Sequence, residues 1–344
     1  MEGKKIIKII VTDRQRKERI DKFLSHQLEN HSRTKIQALI EAGAIFVNGK
    51  QARNNYQVVP KDEITVTLIK RNFEPPDKPE NISINITYED DSIIIINKEA
   101  GMVTHPAYSN YSGTLVNALL YHTKNLSNSG SIERPGIVHR IDKGTSGLLV
   151  IAKNETVHKF LADQFHDHTI EREYHTIVWG NFSHKRKQCK KGIIETFINR
   201  SKNDRKKFAV ADIGKIAITH YEVIEEYDNF SYLKLNLKTG RTHQIRVHLS
   251  HINHPVLCDP TYGGRKIVYG TATSNFKAFV NNVLEISPYQ LLHAKTLGFI
   301  HPETKQFVRF DSELPNNFFG ILERIKNYSE NNLKSNSYSE PFGV

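Results

Sequence analysis

A lone carboxylate, Asp142, lies between Arg140 and Lys143 in the glycine-bounded stretch Gly136 to Gly147, just ahead of the apolar run Leu148 to Ala152. An acid held beside cations in a loop that feeds a strand can work as a general acid or base, or as a nucleophile. The same residue types also make an ordinary turn with a surface ion pair. A second segment, Thr239 to His248, carries Arg241, His243, Arg246 and His248, and His251 and His254 follow it. So many histidines raise the question of zinc. Read as a strand, however, the segment sends His243 and His248 to opposite faces, and no cysteine or carboxylate completes a tetrahedral set. The histidines are therefore expected to orient loops or meet phosphate, and no metal site is expected. The third segment is Arg172-Glu173-Tyr174-His175 at the head of the run Ile177 to Trp179, where Tyr174 taken alone suits sheet packing with its hydroxyl at the wet end. Ser146 lacks the Gly-x-Ser-x-Gly elbow, and no HExxH, Walker or GxGxxG pattern occurs, which removes serine-hydrolase, P-loop and dinucleotide chemistry.

The elements that must hold these segments follow from periodicity. Apolar spacing predicts a helix over residues 19–28 and a second opening at Ser32, with Ile36, Leu39 and Ile40 on one face and Gly43 as its end. Asn48-Gly49 after Ile45-Phe46-Val47 is a two-residue hairpin signal. Arg33, Lys35, Lys50 and Arg53 fall on the polar side of this small helix-helix-hairpin unit. Residues 71–81 hold Pro75, Pro76 and Pro79 and read as a linker between a domain at 1–70 and one at 82–328. In the second domain strands are expected at 92–98, 148–153, 173–179, 219–224, 232–237 and 244–248, and helices at 114–121, 157–165 and 318–325. Strands outnumber helices without a regular βαβ alternation, so the fold class is α+β: a mixed, largely antiparallel sheet flanked by helices, behind a small N-terminal α/β domain. The polar tail 329–344 is expected to be disordered.

The chain of 344 residues, 38% hydrophobic and 25% charged, is long enough for about two domains and a sizeable core. Cys189 and Cys258 stand far apart, which excludes a disulfide framework and fits a reducing compartment. No apolar run approaches the ~20 residues that span a bilayer, and no signal-peptide pattern is present, so a soluble cytoplasmic protein is expected. The net charge of +11 is unevenly placed: residues 1–70 carry +6, residues 181–207 carry +8, and the rest nets −3. Two basic zones on a slightly acidic body fit a polyanion partner whose binding weakens steeply with salt, although solvated basic faces would look the same in sequence.

Taken together the segments closely resemble the RluA-type pseudouridine synthases. The resemblance rests on Gly101-Met-Val-Thr-His105-Pro106, His139-Arg-Ile-Asp142 with Thr145-Ser-Gly147, Arg172-Glu-Tyr174, Thr239-Gly-Arg241-Thr-His-Gln-Ile-Arg246, Asp259-Pro-Thr-Tyr-Gly-Gly264 and Leu292-His293-Ala294. It spans roughly residues 88–312. Residues 19–49, with Arg-Ile-Asp-Lys-Phe-Leu, Ser32-Arg33, Gly43 and Val47-Asn48-Gly49, resemble the S4-type RNA-binding domain, and the pair looks most like the RluD branch, which modifies large-subunit (23S) ribosomal RNA. Glu99 stands where the family usually has proline, Ile141 where leucine is commoner, and Gly144 where an acid is frequent, a change expected to loosen the loop around Asp142.

The resemblance implies an isomerase that turns uridine in RNA into its carbon-linked isomer without gain or loss of atoms, and hence without metal or redox cofactor. It implies Asp142 as the essential acid/base or nucleophile, Arg241 as the cation that pairs with it, and Tyr174 as the ring that stacks on uracil and assists proton removal at carbon 5. Arg140 would fill the space of the extruded nucleotide, with His139, Thr145, His105 and Arg246 as further RNA contacts. The expected partner is a large-subunit stem-loop or pre-ribosomal particle, met by a monomer and not by a membrane. Three alternatives remain open in the sequence: an assembly protein that binds RNA without catalysis, a synthase acting on other ribosomal or transfer RNA uridines, and a glycosylase releasing uracil.

Overall fold

The computed structural model describes residues 4–13, 15–28, 33–69, 78–106, 110, 112–127, 134–183, 190–204 and 207–337. Of the expected linker, residues 71–77 lie outside these, as do 338–344 of the tail and 184–189 and 205–206 of the basic stretch. The chain divides into two compact units, Met1–Pro75 and Pro76–Val344.

The first unit runs β1 (Lys4–Ile10), β2 (Glu18–Arg19), α1 (Ile20–Gln27), α2 (Arg33–Glu41), β3 (Ile45–Val47), β4 (Lys50–Gln51), β5 (Gln57–Val58) and β6 (Glu63–Ile69). Its main sheet has the order β1-β6-β3-β4. Ile20, Phe23 and Leu24 of α1 and Ile36 and Ile40 of α2 share one core with Val47, Val58 and Val66. At the β3–β4 turn both Asn48 (φ 50°) and Gly49 (φ 77°) are left-handed, the geometry that matches the twist of a tight hairpin. Asp21, wholly buried, accepts from Arg19 Nε (3.0 Å), Arg33 Nε (2.9 Å) and Gln37 Nε2 (2.6 Å), so it staples α1 to α2.

The second unit runs β7 (Ile86–Glu89), β8 (Ile93–Lys98), α3 (Leu115–His122), β9 (Ser146–Ala152), α4 (Glu155–His166) and β10 (Glu171–Trp179). It continues with β11 (Lys191–Arg200), β12 (Phe208–Ala211), β13 (Lys215–Glu226), β14 (Phe230–Leu237), α5 (Gln244–His251), α6 (Ser274–Ile286), β15 (Leu292–Ile300), β16 (Phe307–Asp311) and α7 (Asn316–Ser337). A ten-stranded sheet has the order β12-β11-β13-β14-β10-β15-β9-β8-β7, with β16 on β15. Its ladders are antiparallel except β9 with β15, where His293 faces Ser146 and Ala294 faces Gly147. The mixed, largely antiparallel sheet expected from the sequence is therefore the observed one.

Alternation splits the central strands between two cores. Ile94, Ile96, Leu149 and Ile151 pack with Leu115, Val116 and Leu119 of α3 and Ile245 and Leu249 of α5. Ile93, Ile95, Leu148 and Val150 pack with Val157 and Leu161 of α4 and with Leu297 and Phe299. Burial on both faces explains why these strands read as continuous apolar runs. Thr114 caps α3 through a reciprocal bond with Asn117, and Asn154 caps α4 by accepting from Val157 N–H.

Two expectations about secondary structure fail. Residues 244–251 form a helix and not a strand, and α7 runs on to Ser337, so residues 329–337 are helical where disorder was expected. In the first case Ile245, Val247 and Leu249 alternate like a strand, but every residue of α5 from Gln244 to Leu249 is buried, so the alternation carries no information about one exposed face. In the second, Ile321, Leu322 and Ile325 anchor the helix on a core with Trp179, Phe230 and α6, and propagation past that anchor is easy once the helix is nucleated.

Candidate active site

The loop carrying Asp142 is fixed from below. Lys98, 1% exposed, points its Nζ at the carbonyls of Glu99 (2.7 Å), Met102 (2.9 Å) and Lys143 (3.3 Å). Burial pushes this ammonium down to about 7, with Asp142 and Glu99 pulling the other way. Gly101 N–H donates to Lys143 O (2.7 Å), and Thr104 Oγ1 donates to Ile141 O (3.3 Å). At the strand end Gly147 has φ 115°, and a Cβ there would lie 2.2 Å from Ala294 O, so the parallel β9–β15 contact needs glycine. Ser146 Oγ shares a hydrogen bond with His293 Nδ1 (2.8 Å), whose Nε2 meets Ser312 Oγ (2.8 Å).

At Gly144 the space beside the loop is occupied. A Cβ at that position would come within 2.5 Å of Gln290 Oε1, and Gln290 Nε2 donates to Thr145 Oγ1 (3.1 Å). The Gln290 side chain, just ahead of β15, fills the space that a side chain at 144 would take.

Asp142 looks into a cavity of about 630 Å³ lined by Arg140, Thr145, Arg172, Tyr174, Arg241, His243 and Arg246, among others. Its partner is Arg246, whose Nη1 donates to Asp142 Oδ2 at 2.9 Å. The same guanidinium is forked on Asp259, Nε to Oδ2 at 2.7 Å and Nη2 to Oδ1 at 2.9 Å. Burial opposes the charged form of Arg246, and Asp259 and Asp142 more than offset it. The expected pairing of Asp142 with Arg241 is therefore wrong. Arg241 lines the same cavity, but its Nε donates to Ile216 O of β13 (2.9 Å). The cause is the helix: His243 and Arg246 are three residues apart, about one turn at the head of α5, and both turn toward Asp142, whereas Arg241 lies in the preceding turn. Gln244 rivets that turn by accepting from Arg241 N–H (2.9 Å) and Thr239 Oγ1 (2.8 Å).

Tyr174 is on the wall, 9% exposed, and burial pushes its phenol up, Arg172 opposing and Asp142 adding. Arg140 is exposed and borders this cavity and a second one of about 400 Å³, which His105, His243 and Arg246 also line. Burial pushes His105 down to about 4, so it is neutral near pH 7. His139 and Thr145 line the cavity and are also tied into the loop. His139 Nε2 accepts from Val150 N–H (3.0 Å) and its ring stacks on Phe165 (4.4 Å), and Thr145 is 2% exposed and tied to Gln290, so both brace the loop. Arg246, expected on RNA, is committed to two carboxylates.

In the first unit Lys50 and Arg53 are exposed, and Arg33 is bound to Asp21 with its side chain 52% exposed. Lys35 lies on α2 with its side chain outside the described part. Sequence reasoning gave no role to Lys98, His293, Gln290 or Asp259. Asp259 heads a matched segment but has no spacing to a partner that marks its task; the signal that could have found it is Arg246, an arginine among apolar helix residues that needs a counter-charge once buried. Of the four histidines, His248 is held between Thr219 Oγ1 and Thr196 Oγ1, and His254 Nδ1 meets Trp179 O. Among the described residues no group of three or more His, Cys, Asp or Glu is placed to hold a metal ion.

Comparison with known proteins gives two family matches: residues 92–251 fit the RNA pseudouridylate synthase family and residues 18–64 the S4 domain. An uncharacterized RNA pseudouridine synthase of Chlorobaculum parvum is 45% identical over 317 residues, 90% of this chain and 94% of that protein. A ribosomal large subunit pseudouridine synthase D of Zymomonas mobilis is 41% identical, over 86% of this chain and 90% of that protein. The solved structure titled human RNA pseudouridylate synthase domain containing 4 covers 70% of this chain and 93% of its own, with TM-score 0.52 at 21% identity, which supports the fold. Fold, cleft and sequence agree, and the chain belongs to the RNA pseudouridine synthases, isomerases that here carry an S4 domain ahead of the synthase domain.

Proposed function

We propose that the protein isomerises particular uridines of large-subunit ribosomal RNA, with Asp142 as its reactive carboxylate. The observation that carries this reading is a single carboxylate held by Arg246 in the wall of a cavity that Tyr174 and Arg140 also border. Relatives of 36–41% identity named ribosomal large subunit pseudouridine synthase D support the choice of RNA.

The bond from ribose to N1 breaks, the uracil turns, and a bond from the same sugar carbon to carbon 5 forms. Carbon 5 loses a proton and N1 gains one, so atoms balance. A glycoside hydrolase needs a second carboxylate for a poor oxygen leaving group. Uracil accepts the charge itself, so one carboxylate suffices, acting on the sugar carbon or on a sugar proton. Tyr174 stacks on the base. Its phenol enters neutral, so taking up the carbon 5 proton means passing its own onward. Arg140, exposed at the junction of the two cavities, takes the place of the extruded nucleotide and offsets part of the few kcal/mol that unstacking costs. Arg33, Lys35, Lys50, Arg53 and His105 are assigned to RNA contact. The protein works as a monomer in the cytoplasm, on a stem-loop or a pre-ribosomal particle; among the described residues no helix is long and apolar enough to cross a membrane.

Chemical mapping of pseudouridines in ribosomal RNA from cells with and without the protein tests this. Sites lost from the large subunit support the proposal. Loss only in transfer or small-subunit RNA, or no loss at all, would refute it.

A further inference from the structure

The carboxylate assigned to the reaction is gripped on one side. Arg246 Nη1 donates to Asp142 Oδ2, and among the described residues no donor is within hydrogen-bond reach of Oδ1. On that side stands His243, whose Nε2 is 3.9 Å from Oδ1.

His243 is held in an unusual way. It is the residue before α5, with left-handed backbone (φ 58°, ψ 18°), a conformation that a non-glycine residue keeps where its surroundings enforce it. Its Nδ1 is 2.8 Å from the hydroxyl of Tyr262. That hydroxyl oxygen also accepts from Phe208 N–H (3.0 Å), and its own proton is available to His243 Nδ1. With Tyr262 as the donor, the imidazole proton sits on Nε2, the nitrogen that faces Asp142. Tyr262 is itself fixed, its ring 4.9 Å from the Arg246 guanidinium. The charged groups acting on His243 are Asp142, Arg246, Asp259 and Arg140, and burial outweighs the two carboxylates in pushing the imidazole down, so the ring is neutral near pH 7.

We propose that His243 is a positioning residue of the isomerisation: when RNA fills the cavity, its Nε2–H closes onto Asp142 Oδ1, and each carboxylate oxygen then accepts from one donor and keeps a lone pair for the sugar. The inference rests on the reading of Asp142 given above. A shift of about 1 Å brings 3.9 Å to hydrogen-bond distance, the kind of tightening that substrate produces in sites that are loose without it.

The test uses the full chain and a large-subunit ribosomal RNA transcript tritiated at carbon 5 of uridine, reading tritium release at saturating RNA and below it. His243→Asn keeps a residue that tolerates the left-handed backbone, but its amide ends short of Asp142. A lost hydrogen bond to a charged group predicts kcat lower by about 10- to 100-fold, with KM within about twofold and melting unchanged. His243→Gln, whose longer amide can reach, restores part of the rate, and Tyr262→Phe, which frees the tautomer, lowers kcat less than His243→Asn does. Wild-type kcat in His243→Asn, or a loss confined to KM, overturns the inference. Should His243→Asn melt early, Tyr262→Phe decides, and unchanged kcat there overturns it equally. A wild-type chain that releases no tritium from any ribosomal transcript would instead overturn the proposed function.

Discussion

Arg246 makes the sharpest prediction, because it binds two carboxylates at once. The guanidinium is 5% exposed, Asp259 is wholly buried and Asp142 is 21% exposed. In Arg246→Met the three charge-assisted bonds disappear together. Asp259 Oδ1 keeps the N–H groups of Thr261 (2.8 Å) and Tyr262 (3.0 Å), but Oδ2 loses the Arg246 Nε that it accepts from. Removing one member of a buried pair costs roughly 3–5 kcal/mol. For a unit of this size each kcal/mol lowers melting by ~2–4 °C, so a fall on the order of 10 °C is expected. Asp142 can recruit water, so its loss is set nearer ~1.5 kcal/mol, about tenfold in kcat. Arg241→Met, which removes one bond to the Ile216 carbonyl, should cost under about 1 kcal/mol and leave Asp142 oriented. Arg246→Lys should fall between, since one ammonium cannot span the fork and Asp142 together. Thermal melting and tritium release, run side by side on the three variants, read both effects. The reasoning is refuted if Arg241→Met abolishes turnover while Arg246→Met melts and turns over like the wild type.

Asp142→Asn should bind RNA as the parent does and form no product; appreciable tritium release from it would remove Asp142 from the chemistry. Gly147→Ala should be recovered poorly or melt far below the parent, since its Cβ meets the Ala294 carbonyl at 2.2 Å, and a melting curve matching wild type would contradict the β9–β15 geometry. Asp21 gives a pH dependence: burial raises its pKa, but bonds from Arg19, Gln37 and Arg33 outweigh this and hold the carboxyl well below its ordinary 3.8. Its contribution to the S4 unit is thus complete above pH ~4 and drains away as pH falls below that. Methyl resonances of Ile20 and Ile36 should report loosening in acid, and Asp21→Asn should loosen them already at pH 7; identical spectra would count against the staple.

Much of the molecule was legible because burial is written in periodicity. The faces of α1 and α2, the Asn48-Gly49 turn and the doubly buried runs of β8 and β9 follow from spacing and residue type, and their cores form where that spacing puts them. The segments around Asp142, Tyr174 and Arg241 also end in one cavity, as their resemblance implied. Local pattern failed where a segment is buried all round. The alternation Ile245, Val247, Leu249 suits a strand or a helix, and the choice depends on β11, β12 and β13, distant in the chain from its flanking turns, which receive α5.

Residue types, the apolar faces of the two units and the kinship that names the chemistry were determined by sequence alone, since these depend on composition and short-range spacing. Which arginine holds Asp142 was decided only by tertiary structure. Arg241 sits in the turn ahead of α5 and Arg246 on the helix itself, so they point apart, and a buried guanidinium goes where two carboxylates can share it, at a point built from residues 142, 246 and 259.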